Sequence, residues 1–423
     1  MLAAISAQSR ANEAVLSADV ITLSSPRQAV ELALSHSAFL RSAAAVREAV
    51  RGEGLQAGLR PNPEASLSIE NFGGIEGRAS RGLAQSEATF ALSQKLELGD
   101  KRAARVGLAH RNESVANLEF EAARLDLVRD AIMALAEVVA ADRNAIIEND
   151  RLRLAGETLR AARLRVEAGK EALLQVRRTE VALATAEIAA ERARQEGETA
   201  RRGLALLLGV TRVELGPSIA WFEEIGQEPR APQPPSPIDR LRPNPDIARL
   251  DAVVAQRRAD VTLQRANGVP DVTVQGGVRR LQESRETAFV AGVSIPLPFN
   301  DRNQGGISRA GAELIRAEAD AERGRQALIG SLLTAERRMS LAWRSADALK
   351  GSALQAASQA ADFARIGYAE GKFGLLEVLE AQRALFEAKT QLNEALREFH
   401  NRRAEVERLR GGALGTQAIA GEK

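Results

Sequence analysis

The chain has no cysteine among its 423 residues. Disulfides, thiolate metal sites, thiol catalysis and lipid attachment through an N-terminal cysteine are therefore not expected. Aromatic residues make up only 3%, with two Trp and one Tyr, so any core must be packed by Ala and Leu on helices. Three histidines, His36, His110 and His400, stand at no metal-ligand spacing and read as solvated or capping side chains; no metal site and no cofactor is expected. Charge of one sign is never concentrated. Acids and bases are interspersed at 27% with a formal net of +2, which argues against a nucleic-acid partner. No apolar run approaches the roughly 18 residues of a membrane-spanning helix, so any crossing must be made by strands. Gly73-Gly74 has no phosphate-loop context, and no Ser, His and Asp constellation points to catalysis, so the chain is not expected to be an enzyme.

What is present is helical periodicity broken by two short stretches of strand alternation. Residues 1–25 fit an export-signal remnant or a frayed terminus equally well. Pro26 after Ser24-Ser25 opens a helix to about residue 60, which Pro61 and Pro63 stop. Alternation in PEASLSIENFGG predicts a strand ended by Gly73-Gly74, a polar loop over 77–86, and a partner strand over 88–98. Gly99 and Asp100 open a proline-free helical run to about residue 166, on the order of 100 Å at about 1.5 Å per residue. After a break at 167–170 a second helix returns to about residue 208.

Prolines then crowd residues 209–245, a linker that divides the chain. The second half predicts a helix over 238–266 and strands over 270–280 and 287–297. A helical run from 302 to about 366 follows, then a break at 368–374 and a return helix over 375–410. In the last strand Phe289, Ala291, Val293, Ile295 and Leu297 share one side of a pleat. Pro296 and Pro298 end sheet pairing, and Asn300 and Asp301 offer helix N-cap chemistry.

Landmarks recur within a few residues of one spacing. Leu96 to Lys101 aligns with Leu297 to Arg302 (297 − 96 = 201), and Gly169-Lys170 with Gly371-Lys372 (371 − 169 = 202). Asn62-Pro63-Glu64 aligns with Val269-Pro270-Asp271 (269 − 62 = 207). Two tandem repeats are therefore expected, 26–208 and 238–410, joined by a linker over 209–237 and followed by a disordered tail over 411–423.

Each repeat supplies two strands of about ten residues, the length of a tilted membrane strand. Four strands cannot close a barrel, and open edges would leave unpaired backbone groups in lipid. A homotrimer would close twelve, with the helices continuing as a hollow cylinder. The fold class is thus mainly α with a small β part: long helical hairpins plus four membrane strands per chain. A soluble α+β protein with two hairpins would share the pattern.

The order helix, hairpin, long helix pair, proline-rich link, and the same again resembles the TolC-like outer membrane efflux proteins over residues 25–410. NPEASLSIENFGG, LSQKLELGDKRAARV, PDVTVQGGVRR and VSIPLPFNDRNQGGI resemble the CzcC/CusC-like heavy-metal branch. The resemblance implies a passive trimeric channel in the bacterial outer membrane that extends an α-helical tunnel into the periplasm. It also implies outer-membrane lipid around the barrel, a periplasmic adaptor (membrane fusion) protein, and a proton-driven inner-membrane RND pump. Heavy-metal cations are the implied cargo; organic drugs through the same channel are the alternative, and a soluble coiled-coil scaffold or adhesin stalk is the alternative of another class.

By position, the resemblance makes Tyr368 a gate tyrosine and Glu377 and Glu380 an acidic ring at the periplasmic entrance, six carboxylates in a trimer. Phe373 stands where drug-exporting relatives often place a basic gate residue, and the first-half turn has Gln175 and Arg178 in place of the carboxylates. Gly169, Lys170, Gly371 and Lys372 are the implied adaptor-contact tips. Gly99, Asp100, Pro296, Pro298, Asn300 and Asp301 are expected at the junction of barrel and tunnel. An acidic pair in a first helical turn is otherwise a solvated, dipole-favoured face.

Overall fold

The computed structural model describes residues 20–72, 85–217, 219–229 and 236–412. Gly73-Gly74, most of the 77–86 loop and the tail beyond 412 lie outside those residues. In chain order the elements are β1 (Val20–Leu23), α1 (Pro26–His36), α2 (Ala38–Ala57), β2 (Glu64–Glu70), β3 (Glu87–Leu96), α3 (Lys101–Glu167) and α4 (Leu173–Leu208). Then come β4 (Arg212–Leu215), α5 (Ala220–Glu223), α6 (Pro237–Leu241), α7 (Pro245–Asn267), β5 (Val272–Leu281) and β6 (Thr287–Ser294). The chain closes with α8 (Gln304–Ala348), a π-helical turn (Leu349–Ala353), α9 (Leu354–Ala369) and α10 (Leu375–Leu409).

Two compact units form, and each takes in segments from both halves of the sequence. One contains Met1–Ser42, Glu121–Pro245 and Gln326–Lys423; the other contains Ala43–Phe120 and Asp246–Arg325.

The second unit holds a four-stranded antiparallel sheet in the order β2-β3-β5-β6. Its register aligns Leu67 with Phe90, Phe90 with Val278, and Val278 with Phe289, an apolar row across all four strands. One step along the strands, the row Ser68, Thr89, Arg279, Ala288 is mostly polar and lies on the opposite face. One apolar and one polar face is the pattern of a barrel wall between lipid and water. Among the described residues β2 and β6 each pair on one side only. Glycine is required at 277, where a Cβ would sit 2.3 Å from the Phe90 carbonyl oxygen.

The first unit is packed as the scarcity of aromatics demands. Ala131, Ala136, Leu135, Val138 and Val139 of α3, with Leu204 and Leu208 of α4, are fully or almost fully buried. Small side chains let helices approach closely over a long seam.

Several expectations need correction. The first helix breaks at Ser37, whose backbone is extended and whose hydroxyl accepts from the Leu40 N–H, so α1 ends and α2 restarts within one residue. The linker segment carries short elements among its described residues. β4 pairs in parallel with β1, and α5 buries Phe222 completely. The helix expected over 238–266 is split, because Arg242 to Asn244 leave helical bonding and the Asn244 side chain instead donates to the Leu409 carbonyl at 2.8 Å.

β6 stops at Ser294, leaving Ile295 and Leu297 outside the pleat, and α8 starts only at Gln304. The Asp301 carboxylate accepts from the Asn303 N–H at 2.8 Å, a local turn rather than a cap on the helix proper. Tyr368 is inside α9, not in the break. His400 is neither solvated nor a cap. It is buried, its Nε2 donates to the Phe222 carbonyl at 2.9 Å, and its ring stacks on Phe222 with centroids 5.2 Å apart.

Candidate functional site

The two helical hairpins, α3–α4 and α9–α10, turn by the same device. At the first tip Gly169 has φ +67, its N–H reaches the Val166 carbonyl, and the Lys170 N–H reaches the Arg165 carbonyl at 2.8 Å. At the second, Gly371 has φ +80, its N–H reaches the Tyr368 carbonyl, and the Lys372 N–H reaches the Gly367 carbonyl at 2.7 Å. These are paired Schellman turns, which need a left-handed residue and so select glycine. α4 and α10 end in the same way at Gly209 and Gly411, again 411 − 209 = 202 residues apart.

Side chains at the tips converge on Tyr368. Its ring is 4% exposed and packs with Ala364, Leu375 and Val378, with Ala161 of α3 against the cluster. Its hydroxyl donates to Glu171 Oε2 at 2.9 Å. The other oxygen of Glu171 takes Arg165 Nε at 3.1 Å, and the Arg165 guanidinium lies over the tyrosine ring, 4.7 Å from its centroid. Arg165 Nη1 also donates to the Tyr368 carbonyl at 2.7 Å. One first-hairpin ion pair thus holds the ring face, the hydroxyl and the backbone of a second-hairpin residue. Burial, followed by the neighbouring Glu171 carboxylate, pushes the phenol pKa up to about 12, so the hydroxyl stays protonated and donating. Further up the seam, Gln382 Nε2 donates to Thr158 Oγ1 at 3.0 Å, both side chains buried.

Phe373, with no positive charge to offer, lays its ring on Gly367, where a Cβ would meet it at 2.2 Å. The basic residue at this tip comes instead from Arg165, which sequence inspection does not single out. Its partner lies 203 positions away, and nothing near Arg165 differs from the many Arg and Glu pairs along α3. The absence of a base at Phe373 was the one available signal.

Glu377 and Glu380 lie on the exposed flank of the first turns of α10, while Leu375 and Val378 point inward. Neither carboxylate forms an ion pair among the described residues. Lys372 pairs with Glu370 at 2.6 Å on the exposed turn.

The strand-to-helix junctions differ. After β3, Gly99 and Asp100 both have left-handed φ, +66 and +58, and a Cβ on Gly99 would meet Val269 at 2.7 Å. Asp271 clasps this bend through Lys101 Nζ at 2.5 Å, Lys95 Nζ at 3.0 Å and the Leu98 N–H at 3.2 Å. After β6, Pro296 and Pro298 carry the chain through a nine-residue link in which Arg302 Nε donates to the Pro298 carbonyl. Gln304 Nε2 donates to the Asn300 carbonyl, and Asn303 holds φ +58.

The outer membrane efflux protein family matches residues 29–210 and again 239–412. The chain is 30% identical over 383 residues to the cobalt-zinc-cadmium resistance protein CzcC of Cupriavidus metallidurans, spanning 90% of this chain and 89% of that protein. To the nickel and cobalt resistance protein CnrC of the same organism it is 30% identical over 307 residues, 71% of each. The solved structure of CusC superposes with a TM-score of 0.78 over 92% of both chains at 19% identity, a likeness of fold. With the family matched twice along one chain and the fold shared over nearly its whole length, the protein belongs to the outer membrane efflux protein family, whose TolC-type channels sit in the outer membrane and conduct rather than catalyse.

Proposed function

We propose that three copies of this chain form a passive duct for heavy-metal cations, the outer-membrane stage of a tripartite, proton-driven efflux system. The observation that carries the duct is the sheet: an in-register apolar row, Leu67, Phe90, Val278 and Phe289, on strands whose outer edges lack partners among the described residues. Lipid does not tolerate unpaired strand edges, and three such sheets make a closed, even-numbered barrel. Strand direction alternates from β2 to β6, so β6 of one copy meets β2 of the next antiparallel. Channels of this family are trimers. The cargo is inferred from the metal-resistance relatives.

Tyr368 closes the periplasmic end, held by Arg165 and Glu171, with Phe373 beside it. Glu377 and Glu380, one helical turn apart and exposed, set the charge at the entrance. Six carboxylates around one axis concentrate cations and repel anions without choosing among metals, so selectivity for a metal belongs to the pump. The Gly169-Lys170 and Gly371-Lys372 turns meet the adaptor. Gly99, Asp100, Pro296, Pro298, Asn300 and Asp301 mark where barrel becomes tunnel. The two repeats, 26–208 and 238–410, are the units of duplication.

Deleting the gene in its host and measuring tolerance to cobalt, zinc, cadmium and nickel beside a panel of organic drugs tests the cargo. Lost metal tolerance with drug tolerance intact is expected; the reverse pattern would assign the duct to drugs.

A further inference from the structure

We infer that the cavity between α3, α4 and α10 binds a hard divalent cation, Mg²⁺ or Ca²⁺, held with part of its water shell. Neither cargo nor copy number enters the argument, since every residue on its wall belongs to one compact unit of one chain. The cavity has a volume of about 610 Å³.

Asn393 of α10 points to a ligand. It lies on the cavity wall, is only 6% exposed, and donates through Nδ2 to the Ala140 carbonyl of α3 at 2.7 Å. Turning the amide over would set two acceptors against each other, so the carbonyl fixes Oδ1 as the atom left over. That Oδ1 is buried without a partner, and so is Asn144 Oδ1 on the same wall. Buried acceptors left unpaired are costly, and two beside one cavity call for a ligand that brings donors or positive charge. The unpartnered donor on the wall, Arg397 Nε, belongs to a guanidinium already held by two acids.

Charge and ligand type narrow the choice. Three carboxylates face two guanidiniums across the cavity. Arg397 pairs with both Glu137 and Glu394, at 2.5 Å each, so one cation serves two acids. Glu196 and Arg192 of α4 form no ion pair among the described residues, which leaves the wall with one negative charge in excess. Carboxylate and amide oxygens, with no histidine or cysteine among them, suit Mg²⁺ and Ca²⁺ better than softer metals. No three acidic or histidine side chains among the described residues converge closely enough to hold a bare ion, so waters complete the shell. A bound ion ties three helices together through Asn144, Glu196 and Asn393.

Isothermal titration of the full-length protein in detergent with magnesium chloride, and separately with calcium chloride, tests the site. Both salts are run on the native protein and on Glu377→Gln with Glu380→Gln, which removes the entrance carboxylates. One ion per chain is expected in both backgrounds, and the salt that binds more tightly names the ion. Asn393→Leu should weaken binding about tenfold, the loss of one hydrogen bond to a charged group. Glu196→Gln, an exposed substitution that leaves the packing alone, should weaken it about threefold. No saturable binding to the native protein, or binding that both cavity variants leave unchanged, would overturn the site. Binding that vanishes when Glu377 and Glu380 are replaced would overturn it as well.

Discussion

The two hairpin tips have one backbone and two chemistries. Gly169-Lys170 and Gly371-Lys372 close their helices with the same pair of hydrogen bonds, and in both the residue two places after the glycine folds back onto the residue four places before it. In the first hairpin that contact is the Glu171–Arg165 ion pair; in the second it is the Phe373 ring on Gly367. The turn is the same at both tips because a Schellman motif tolerates little besides glycine at its left-handed position. The side chains differ, and the difference makes one tip a clasp and the other the thing clasped.

The largest expected difference between the tips is in packing. Leu375→Ala removes a fully buried side chain and should cost about 3 kcal/mol of local stability, whereas Leu173→Ala in a dissociated single chain should cost almost nothing. Hydrogen exchange of the amides in residues 364–378 for the first variant and 162–176 for the second measures both. Equal effects in the single chain would erase the asymmetry. Next is the clasp. Arg165→Ala leaves Glu171 partly buried without its cation and should cost about 2 kcal/mol, reduced from a fully buried pair because Arg165 keeps some solvent contact. Its functional readout is a larger, less gated single-channel conductance.

Tyr368→Phe removes one hydrogen bond and should cost about 1 kcal/mol while keeping the ring beneath Arg165. The same bond fixes a pH window. Because folding raises the phenol pKa from 10 to about 12, its contribution is full below pH 10 and is lost as pH rises toward 12. Conductance of the native channel should therefore hold steady through neutral pH and rise in that alkaline window, and Tyr368→Phe should abolish the rise.

Away from the tips the sign reverses. Burial lowers the His400 pKa to about 4, so the neutral ring stabilises the fold above pH 6.5 and that contribution is lost as pH falls to 4. Fluorescence of Trp221, whose ring centroid is 4.9 Å from that of His400, should report the loosening.

Much of the architecture was legible because it is written in periodicity. Alternation marked β2, β3, β5 and β6 to within a few residues, and α4 begins and ends where glycine and apolar spacing place it. What escaped notice depends on partners distant in sequence. β1 and β4 are four residues each, too short for a pattern, and exist because Val20 to Leu23 finds Arg212 to Leu215. Ser37 breaks a helix whose composition favours continuity. Arg165 looks like any other basic residue of α3 until the fold brings Tyr368 beneath it. The turn glycines were visible as repeats, but the clasp they carry was not, because a duplicated position reveals geometry and says nothing of the side chain that later occupies it.

The most direct test of a cation duct gated at these tips is the reversal potential of single channels in a salt gradient, native protein against Glu377→Gln with Glu380→Gln. Cation preference in the native channel that falls toward zero in the double variant is the predicted result. A protein that forms no conducting pore, or a preference unchanged by the two substitutions, would contradict it.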